Sequence, residues 1–387
     1  FFFFKQKVAY EIRLSLVGSE MCIRDRCKGE RRQPCVALRH GYAAFTLTEL
    51  LVVITIIAIL ASLITAGAMN AMRASKRAAI TLEIGQLADA MERFKTNTGG
   101  AYPPNAMNDN SSVSDPNYLG DSISQQTIND FIRSFRKAFP RHNEPEGLLR
   151  RLAGQTGSLP AGNPTDLDGG MNAAEAIYFW LGGFSSDPVY PISGPGGPSF
   201  ADATNPATAP DLSDEILENR DRLYEFDLTR LSPRTDAGDF DGRWLTYDVV
   251  VNGVTQQRRI NLWTYAPKSS VSSYAYFDTS RYDPVNYDLD LSGVFGSNIF
   301  ALKKLREGFS GATPTPADIH FVNKKKFQIL HAGLDDEWGD FTPADIMNST
   351  SVSDASNLLL FPTGPFTGDI ADTLSNFSGG TLESEQE

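Results

Sequence analysis

An uncharged run of 19 residues constrains this chain more than any other feature of its sequence. Leu50–Ala68 reads LLVVITIIAILASLITAGA, in which only Thr55, Ser62 and Thr65 carry polar side chains. As a helix the run measures about 28 Å, close to the roughly 30 Å hydrocarbon thickness of a bilayer. A core helix of a soluble protein would show a broader polar face. The run therefore predicts a membrane segment, either a cleaved secretory signal or a retained anchor.

Charge and cysteine content exclude several classes of function. Residues 1–44 carry a net charge of +5, whereas residues 45–387 carry −17. Because phosphate backbones are bound by basic surfaces, we expect no nucleic-acid partner. The three cysteines, Cys22, Cys27 and Cys35, all precede Phe45, so the chain beyond them has no disulfide, thiolate metal site or cysteine nucleophile.

Glu49 distinguishes between the two kinds of membrane segment. A carboxylate at the start of a span costs insertion free energy, so its presence indicates a function and a partner. The residues Ala44–Glu49, AFTLTE, with the apolar run behind them, resemble the prepilin-type cleavage and methylation motif of type IV pilins and type II secretion pseudopilins. The resemblance implies cleavage after Ala44 and N-methylation of Phe45 by a prepilin peptidase. The residue before the cut is usually glycine in that family, whereas Gly41 lies three residues too early here.

The resemblance also implies a role for Glu49 and a route of export. In a filament, its carboxylate would neutralise the new amine of Phe45 on a neighbouring subunit. The chain would be a single-pass inner-membrane protein with a cytoplasmic leader and an exported head, and later part of a periplasmic or surface filament. Its partners would be the peptidase, the membrane and other pilin-like subunits of a filament or type II secretion pseudopilus. The alternative is a membrane-anchored or secreted binding protein or enzyme whose function lies in the head.

Composition divides the chain into five stretches. Residues 1–26 resemble translated sequencing-adapter read-through and are set aside as an artefact, and residues 27–44 are the basic leader. Residues 45–68 are the membrane-spanning half of a long helix. Residues 69–97 are its amphipathic half, in which apolar residues recur every three or four positions. Residues 98–387 form a globular exported head.

Helices and strands of the head follow from hydrophobic periodicity, capping signals and turn dipeptides. They are, in chain order, a helix over 128–139, a helix begun by a capping box at Asn172 and Glu175, a hairpin of Trp244–Val251 and 254–265 about the Asn252-Gly253 turn, and strands at 273–277 and 326–331. The stretch 182–210 is rich in glycine and proline and is expected to be a long surface loop. The predicted fold is therefore α+β and pilin-like: a long N-terminal helix packed on a head with an antiparallel sheet.

One acidic loop is a candidate calcium site, with an ordinary loop and no cofactor as the alternative. Residues 327–340, FQILHAGLDDEWGD, are similar to a segment near the end of major pseudopilins, where aspartates and carbonyls hold calcium. The resemblance makes Asp335 and Asp340 candidate ligands. Three further aspartate-glycine loops, at 166–169, 239–242 and 288–293, each lack part of the calcium-loop pattern and are interpreted as solvated turns.

Enzyme motifs are scarce. The chain contains no GxSxG, HExxH, Walker or GxGxxG pattern. Beyond the leader, His142, His320 and His331 each stand alone in sequence, and a hydrogen-bonded core or surface histidine is the simplest interpretation of each. We therefore expect no enzymatic activity.

Overall fold

The computed structural model describes residues 46–104, 120–155, 159, 161–165, 167, 170–200, 220–235, 240–280, 301–310, 316–339 and 360–386. The helices are α1 Leu47–Asn97, α2 Gly120–Ala138, α3 Glu146–Leu152 and α4 Ala173–Leu181. The strands are β1 Phe184–Ser185, β2 Ser199–Phe200, β3 Arg220–Asp221, β4 Leu231–Ser232, β5 Trp244–Val251, β6 Val254–Asn261, β7 Thr264–Tyr265, β8 Ala275–Phe277, β9 Lys303–Leu305, β10 Ile319–Phe321, β11 Gln328–His331 and β12 Leu374–Ser375. The chain divides into two units, Phe1–Ser62 and Leu63–Glu387.

The long N-terminal helix is confirmed as one uninterrupted element of 51 residues. No proline lies within it to remove a backbone hydrogen bond. It ends where Gly99 and Gly100 adopt positive φ angles of 81° and 89°, which glycine reaches without a steric penalty. The Gly100 amide then donates to the Lys95 carbonyl at 2.7 Å and satisfies one of the free carbonyls of the last turn.

The amphipathic half of α1 forms one wall of the core of the head. Its buried side chains are Ile80, Ile84, Leu87, Ala90, Met91 and Phe94. Phe94 meets the ring of Trp180 on α4, with ring centroids 5.5 Å apart. The Trp180 indole also donates to the Pro104 carbonyl at 3.1 Å. The chain leaving α1 is thus tied to the core by apolar packing and by a buried hydrogen bond.

The predicted capping box of α4 is confirmed. Asn172 Oδ1 accepts from the Glu175 amide, and Glu175 Oε2 accepts from the Asn172 amide, both at 2.9 Å. All nine residues of α4 are buried, so its N-terminal amides have no water to bond and depend on these side chains. The predicted helix at 128–139 is also confirmed as part of α2, which ends two residues before Pro140.

Every pairing between these strands is antiparallel, as predicted, but the strands form several small sheets. The three-stranded sheets have the orders β2-β6-β5 and β12-β11-β8. The β5–β6 hairpin turns at Asn252 and Gly253, whose φ angles of 53° and 79° fit the tight turn expected of that dipeptide. The predicted strand 254–265 is interrupted, because pairing with β5 stops at Asn261 and Thr264 pairs instead with β4. The α+β prediction is confirmed.

The prediction of a surface loop at 182–210 is wrong for its described part, 182–200. Most of these residues are buried. The Glu144 carboxylate accepts hydrogen bonds from the Ile192 and Ser193 amides, each at 2.8 Å. The Arg220 guanidinium donates to the carbonyls of Gly196 and Gly197 at 2.7 and 3.0 Å. Two distant charged side chains thus satisfy backbone groups in the irregular stretch between β1 and β2, which allows part of that stretch to be buried.

Candidate functional site

The first turn of α1 contains a capping box between Thr46 and Glu49. The Thr46 hydroxyl accepts from the Glu49 amide at 3.2 Å, and Glu49 Oε2 accepts from the Thr46 amide at 2.9 Å. The Thr46 hydroxyl also donates to Glu49 Oε2 at 2.8 Å. The pattern Thr-x-x-Glu before an apolar run is a known signal for a helix start, although Thr46 was not among the predicted site residues. Glu49 is therefore fixed in place within its own chain before any partner binds.

Both hydrogen bonds that Glu49 accepts go to Oε2. No hydrogen bond to Oε1 is present in the described part of the chain, and the side chain is exposed. A carboxylate oxygen has lone pairs for more than one donor, so Oε1 can take a further charged donor without disturbing the cap. The predicted site residues Ala44 and Phe45 lie outside the described residues.

Behind Glu49, the surface of α1 is apolar on all sides. From Leu50 to Ile64 every large apolar side chain is between 43% and 70% exposed. The hydroxyls of Thr55 and Ser62 donate back to the carbonyls of Val52 and Ile59, both at 2.8 Å, so neither needs water. By length and composition α1 is able to cross a membrane. An apolar helix with internally satisfied polar groups suits hydrocarbon or the interior of a bundle.

Further along α1, Glu83 connects the helix to the head, a role that sequence reasoning missed. The Arg230 guanidinium donates to Glu83 Oε2 at 2.5 Å, and the Tyr274 hydroxyl donates to the same oxygen at 2.7 Å. The hydroxyls of Tyr265 and Tyr224 donate to Oε1 at 3.0 and 3.3 Å. A glutamate between the buried positions Ile80 and Ile84 was the available sequence signal, because charge on an apolar face requires a partner.

The electrostatics of this cluster favour an ionised Glu83. Burial by itself would raise the pKa of Glu83, but hydrogen bonds from Arg230 and Tyr274 and the charge of Arg230 hold the pKa below its ordinary value. Burial, followed by the nearby Glu83 charge, raises the pKa of Tyr224 to about 12 and that of Tyr274 still further. The phenols therefore stay protonated as donors, and the cluster is one anion held by one cation and three hydroxyls.

His331, predicted to be a satisfied histidine, is buried in a hydrogen-bonded pocket with Ser270 and Asp336. Its Nδ1 accepts from the Gly333 amide at 3.0 Å, which places the ring proton on Nε2. Nε2 faces the Ser272 carbonyl at 3.1 Å and the Ser270 hydroxyl at 3.0 Å. The Ser270 hydroxyl in turn donates to Asp336 Oδ1.

This Ser-His-Asp contact differs from a catalytic triad in its connectivity. In a triad the aspartate holds the Nδ1 proton and the free Nε2 takes the serine proton. Here Nε2 is already protonated, and the carboxylate bonds the serine rather than the imidazole. Burial lowers the pKa of His331 to about 4, against smaller raising effects from the Ser272 carbonyl and the Asp336 charge. The neutral ring is a structural link between strand β11 and the loop after Pro267.

The loop after β11 contains the predicted metal ligand Asp335, whereas Asp340 lies outside the described residues. Asp335 is exposed, and its Oδ1 accepts from the Glu337 amide at 3.0 Å. Asp372 comes close to it from the C-terminal segment: burial, and then the Asp335 charge, raise the pKa of Asp372. Two carboxylates are fewer oxygen ligands than calcium takes, and no group of three metal-binding side chains occurs among the described residues. The calcium site stays a prediction that depends on Asp340 and backbone carbonyls.

Comparison with protein-family models matches residues 39–65 to the prokaryotic N-terminal methylation motif. No curated protein and no solved structure matches the chain. The matched segment includes the predicted cut after Ala44, the predicted methylation position Phe45, the carboxylate of Glu49 and most of the apolar run. In this N-terminal segment the chain carries the prepilin-type methylation motif, as type IV pilin-like proteins do.

Proposed function

We propose that this chain is a pilin-like structural subunit, cleaved after Ala44, N-methylated on Phe45 and assembled into an envelope filament or a type II secretion pseudopilus. The observation that carries the proposal is the methylation motif at 39–65, joined to a helix whose first half is apolar on every side. Such a surface has to be covered by lipid or by other subunits. A filament of parallel helices covers it permanently once the subunit has left the bilayer.

The position of Glu49 supports the chemistry of assembly. Cleavage would leave a positively charged amine on Phe45, at the end of an apolar helix where an unpaired charge is costly. Glu49 Oε2 is held by Thr46, while Oε1 is exposed. The amine of a neighbouring subunit can pair with Oε1 while the cap keeps the carboxylate in one orientation. The incoming subunit would thus meet a preorganised acceptor, which lowers the entropic cost of association.

The proposed partners follow from this chemistry. A prepilin peptidase with methylase activity would process the leader on the cytoplasmic side of the inner membrane. Other pilin-like subunits would then cover the span, and the head would be exported to the periplasm or cell surface. We further propose that the subunit catalyses nothing itself. The protonated Nε2 of His331 supports this, because it cannot accept a proton from Ser270.

Mass spectrometry of the mature N-terminus tests the proposal. We expect a first residue Phe45 that carries one added methyl group, and an unprocessed chain in cells that lack the peptidase. The variant Phe45→Ala leaves Ala44, Glu49 and the span unchanged, so it serves as a matched control for changes in export. A mature chain that begins at residue 69 would establish ordinary signal cleavage after Ala68 and would refute the pilin-like function.

A further inference from the structure

One end of the head carries three exposed cations that have few ion-pair partners among the described residues. Lys137, near the end of α2, lies over the C-terminal end of α1: its Cε would be 3.2 Å from a Cβ placed on Gly99. Lys137 and Arg141 are exposed, and neither forms an ion pair with any described residue. Arg136 pairs with Glu146 at 3.4 Å, but that carboxylate is also held by Arg150 at 2.6 Å, so two cations share one anion. We call Arg136, Lys137 and Arg141 the basic face.

Another part of the head carries exposed carboxylates that form no ion pair with any described residue. The C-terminal segment, including Leu374 and 379–384, lies along α1 between Ala74 and Asp89. The loop after β11 is tied to it through the Leu334 amide, which donates to Asp372 Oδ2 at 2.7 Å. The exposed carboxylates of these two segments form no ion pair with described residues, and we call them the acidic face: Asp335, Glu337, Asp369 and Glu383.

Cations on α1 reduce the charge of the acidic face without cancelling it. Arg73, Lys76 and Arg77 are exposed on α1 close to this face, and the Arg77 charge acts on the Asp372 carboxyl. The two acidic segments contain seven carboxylates against these three cations: Asp335, Asp336, Glu337, Asp369, Asp372, Glu383 and Glu385. From Arg77, whose charge acts on Asp372, to Asn97, close to Lys137, α1 rises about 30 Å, so the two faces are separated along the head.

We propose that the basic face of one subunit docks on the acidic face of a second copy of this chain. The inference rests on the proposed filament and names the contact between heads within it. Two different, complementary patches separated along a subunit form a head-to-tail interface, and such an interface continues from copy to copy instead of closing on itself. Charge complementarity of this kind fixes register and excludes wrong partners more than it adds affinity. The apolar helix would supply the affinity between subunits, and the heads would fix their register.

Thiol crosslinking in membranes and filaments tests the contact directly. The mature chain proposed here begins at Phe45 and has no cysteine, so introduced thiols are the only ones present. A chain with Lys137→Cys and Glu383→Cys is treated with a short bis-maleimide, and we expect a ladder of multimers. The control is Lys268→Cys with Glu383→Cys. The exposed Lys268 lies beside Ile80 and Glu83 of α1, in the loop whose Ser270 bonds Asp336, so both thiols are on the acidic side of the contact and should give no ladder.

Charge reversal tests whether the attraction is electrostatic. Lys137→Glu with Arg141→Glu should lower the yield of sheared filaments by about tenfold or more, because like charges would then face each other. Adding Asp369→Lys and Glu383→Lys to the same chain should restore the yield. Arg222→Glu reverses an exposed charge that belongs to neither face and should assemble normally.

The possible results separate the two proposals. Filaments at the normal level without a ladder from the Lys137 and Glu383 thiols would overturn the docking and leave the filament standing. A ladder in the membrane with no filament from the unaltered chain would support the docking and refute the filament. If charge reversal on the basic face lowers the filament yield and the second reversal, on the acidic face, does not restore it, the contact is not electrostatic.

Discussion

Arg230 holds the carboxylate of Glu83 at 2.5 Å, across 147 positions of sequence, and so fastens the head to its own helix. Both side chains are less than one fifth exposed, at 17% and 14%. The Arg230 guanidinium also lies over the Tyr265 ring, 4.3 Å from its centroid. The pair is therefore shielded from water and strengthened by its surroundings, unlike the ion pairs on the surface of the head.

Glu83→Gln should destabilise the head by about 3 kcal/mol, because it leaves the Arg230 charge without its anion in a half-buried site. Thermal or denaturant unfolding of the detergent-solubilised protein measures the change. Arg133→Gln, which breaks the exposed pair with Asp130, should cost about 0.5 kcal/mol or less. Equal losses of stability from Glu83→Gln and Arg133→Gln would mean that burial does not strengthen the Glu83–Arg230 pair.

The same pair should make the stability of the head depend on pH. Because the pKa of Glu83 is lowered, the stabilisation that its ionised carboxylate provides should be lost as the pH falls below the ordinary pKa of a glutamate.

His331 should make the head sensitive to mild acid. Burial lowers its pKa to about 4, whereas the unfolded chain binds the proton near pH 6.5. The unfolded state therefore binds more protons between these values, and stability falls as the pH drops from about 6.5 to about 4, by up to roughly 3 kcal/mol. His331→Gln lacks the titrating group and should show a flatter profile. Parallel profiles of the two proteins would contradict the assignment.

Glu175 changes the stability of the head in the opposite direction over part of the same pH range. Burial, opposed by Arg243, raises its pKa to about 7. The folded state therefore binds the extra proton, and this contribution is lost as the pH rises from about 4.5 to about 7. The effect of His331 should consequently be read as the difference between the unaltered protein and His331→Gln at each pH, since Glu175 is common to both.

Calcium should stabilise the head if Asp335 and Asp340 are ligands. A ligand that binds only the folded state at a hundred times its Kd adds about 2.7 kcal/mol. Melting curves of the mature protein with calcium and with chelator measure the shift, and Asp335→Asn should abolish it. Coincident melting curves for the unaltered protein, with calcium and with chelator, would contradict the predicted calcium site.

Glu49→Ala should permit membrane insertion and cleavage but block assembly. Removal of a carboxylate makes the span more apolar, so insertion is not impaired. The amine of Phe45 would lose its partner in the filament core, and we expect filament yield to fall about a hundredfold. The variant also loses the cap on Thr46. Glu49→Gln serves as the control, because its amide oxygen keeps the cap while the charge is absent.

These two variants distinguish charge from capping. If Glu49→Gln assembles normally and Glu49→Ala does not, the cap and not the ion pair is the requirement. If both assemble normally, Glu49 has no partner in the filament, and the proposed assembly chemistry is wrong. Fractionation of processed protein between membrane and sheared material gives the answer in each case.

The sequence by itself determined the features that depend on neighbouring residues. The apolar run, the absence of proline and the terminal glycines specify α1, since helix formation and termination are local. The capping box at Asn172, the turn at Asn252-Gly253 and the methylation motif are equally short-range. The capping box of Thr46 and Glu49 is also a short-range pattern, so it could have been predicted from the sequence.

Only the tertiary structure decided the features in which distant residues satisfy one another. Glu83 finds Arg230 and three tyrosines that no spacing in the sequence links to it. The glycine- and proline-rich stretch is buried because Glu144 and Arg220 take up its backbone hydrogen bonds. Ser270, His331 and Asp336 meet without forming a triad, because the Gly333 amide occupies Nδ1. A local sequence pattern predicts that a buried polar group needs a partner, but the tertiary packing determines which residue that partner is.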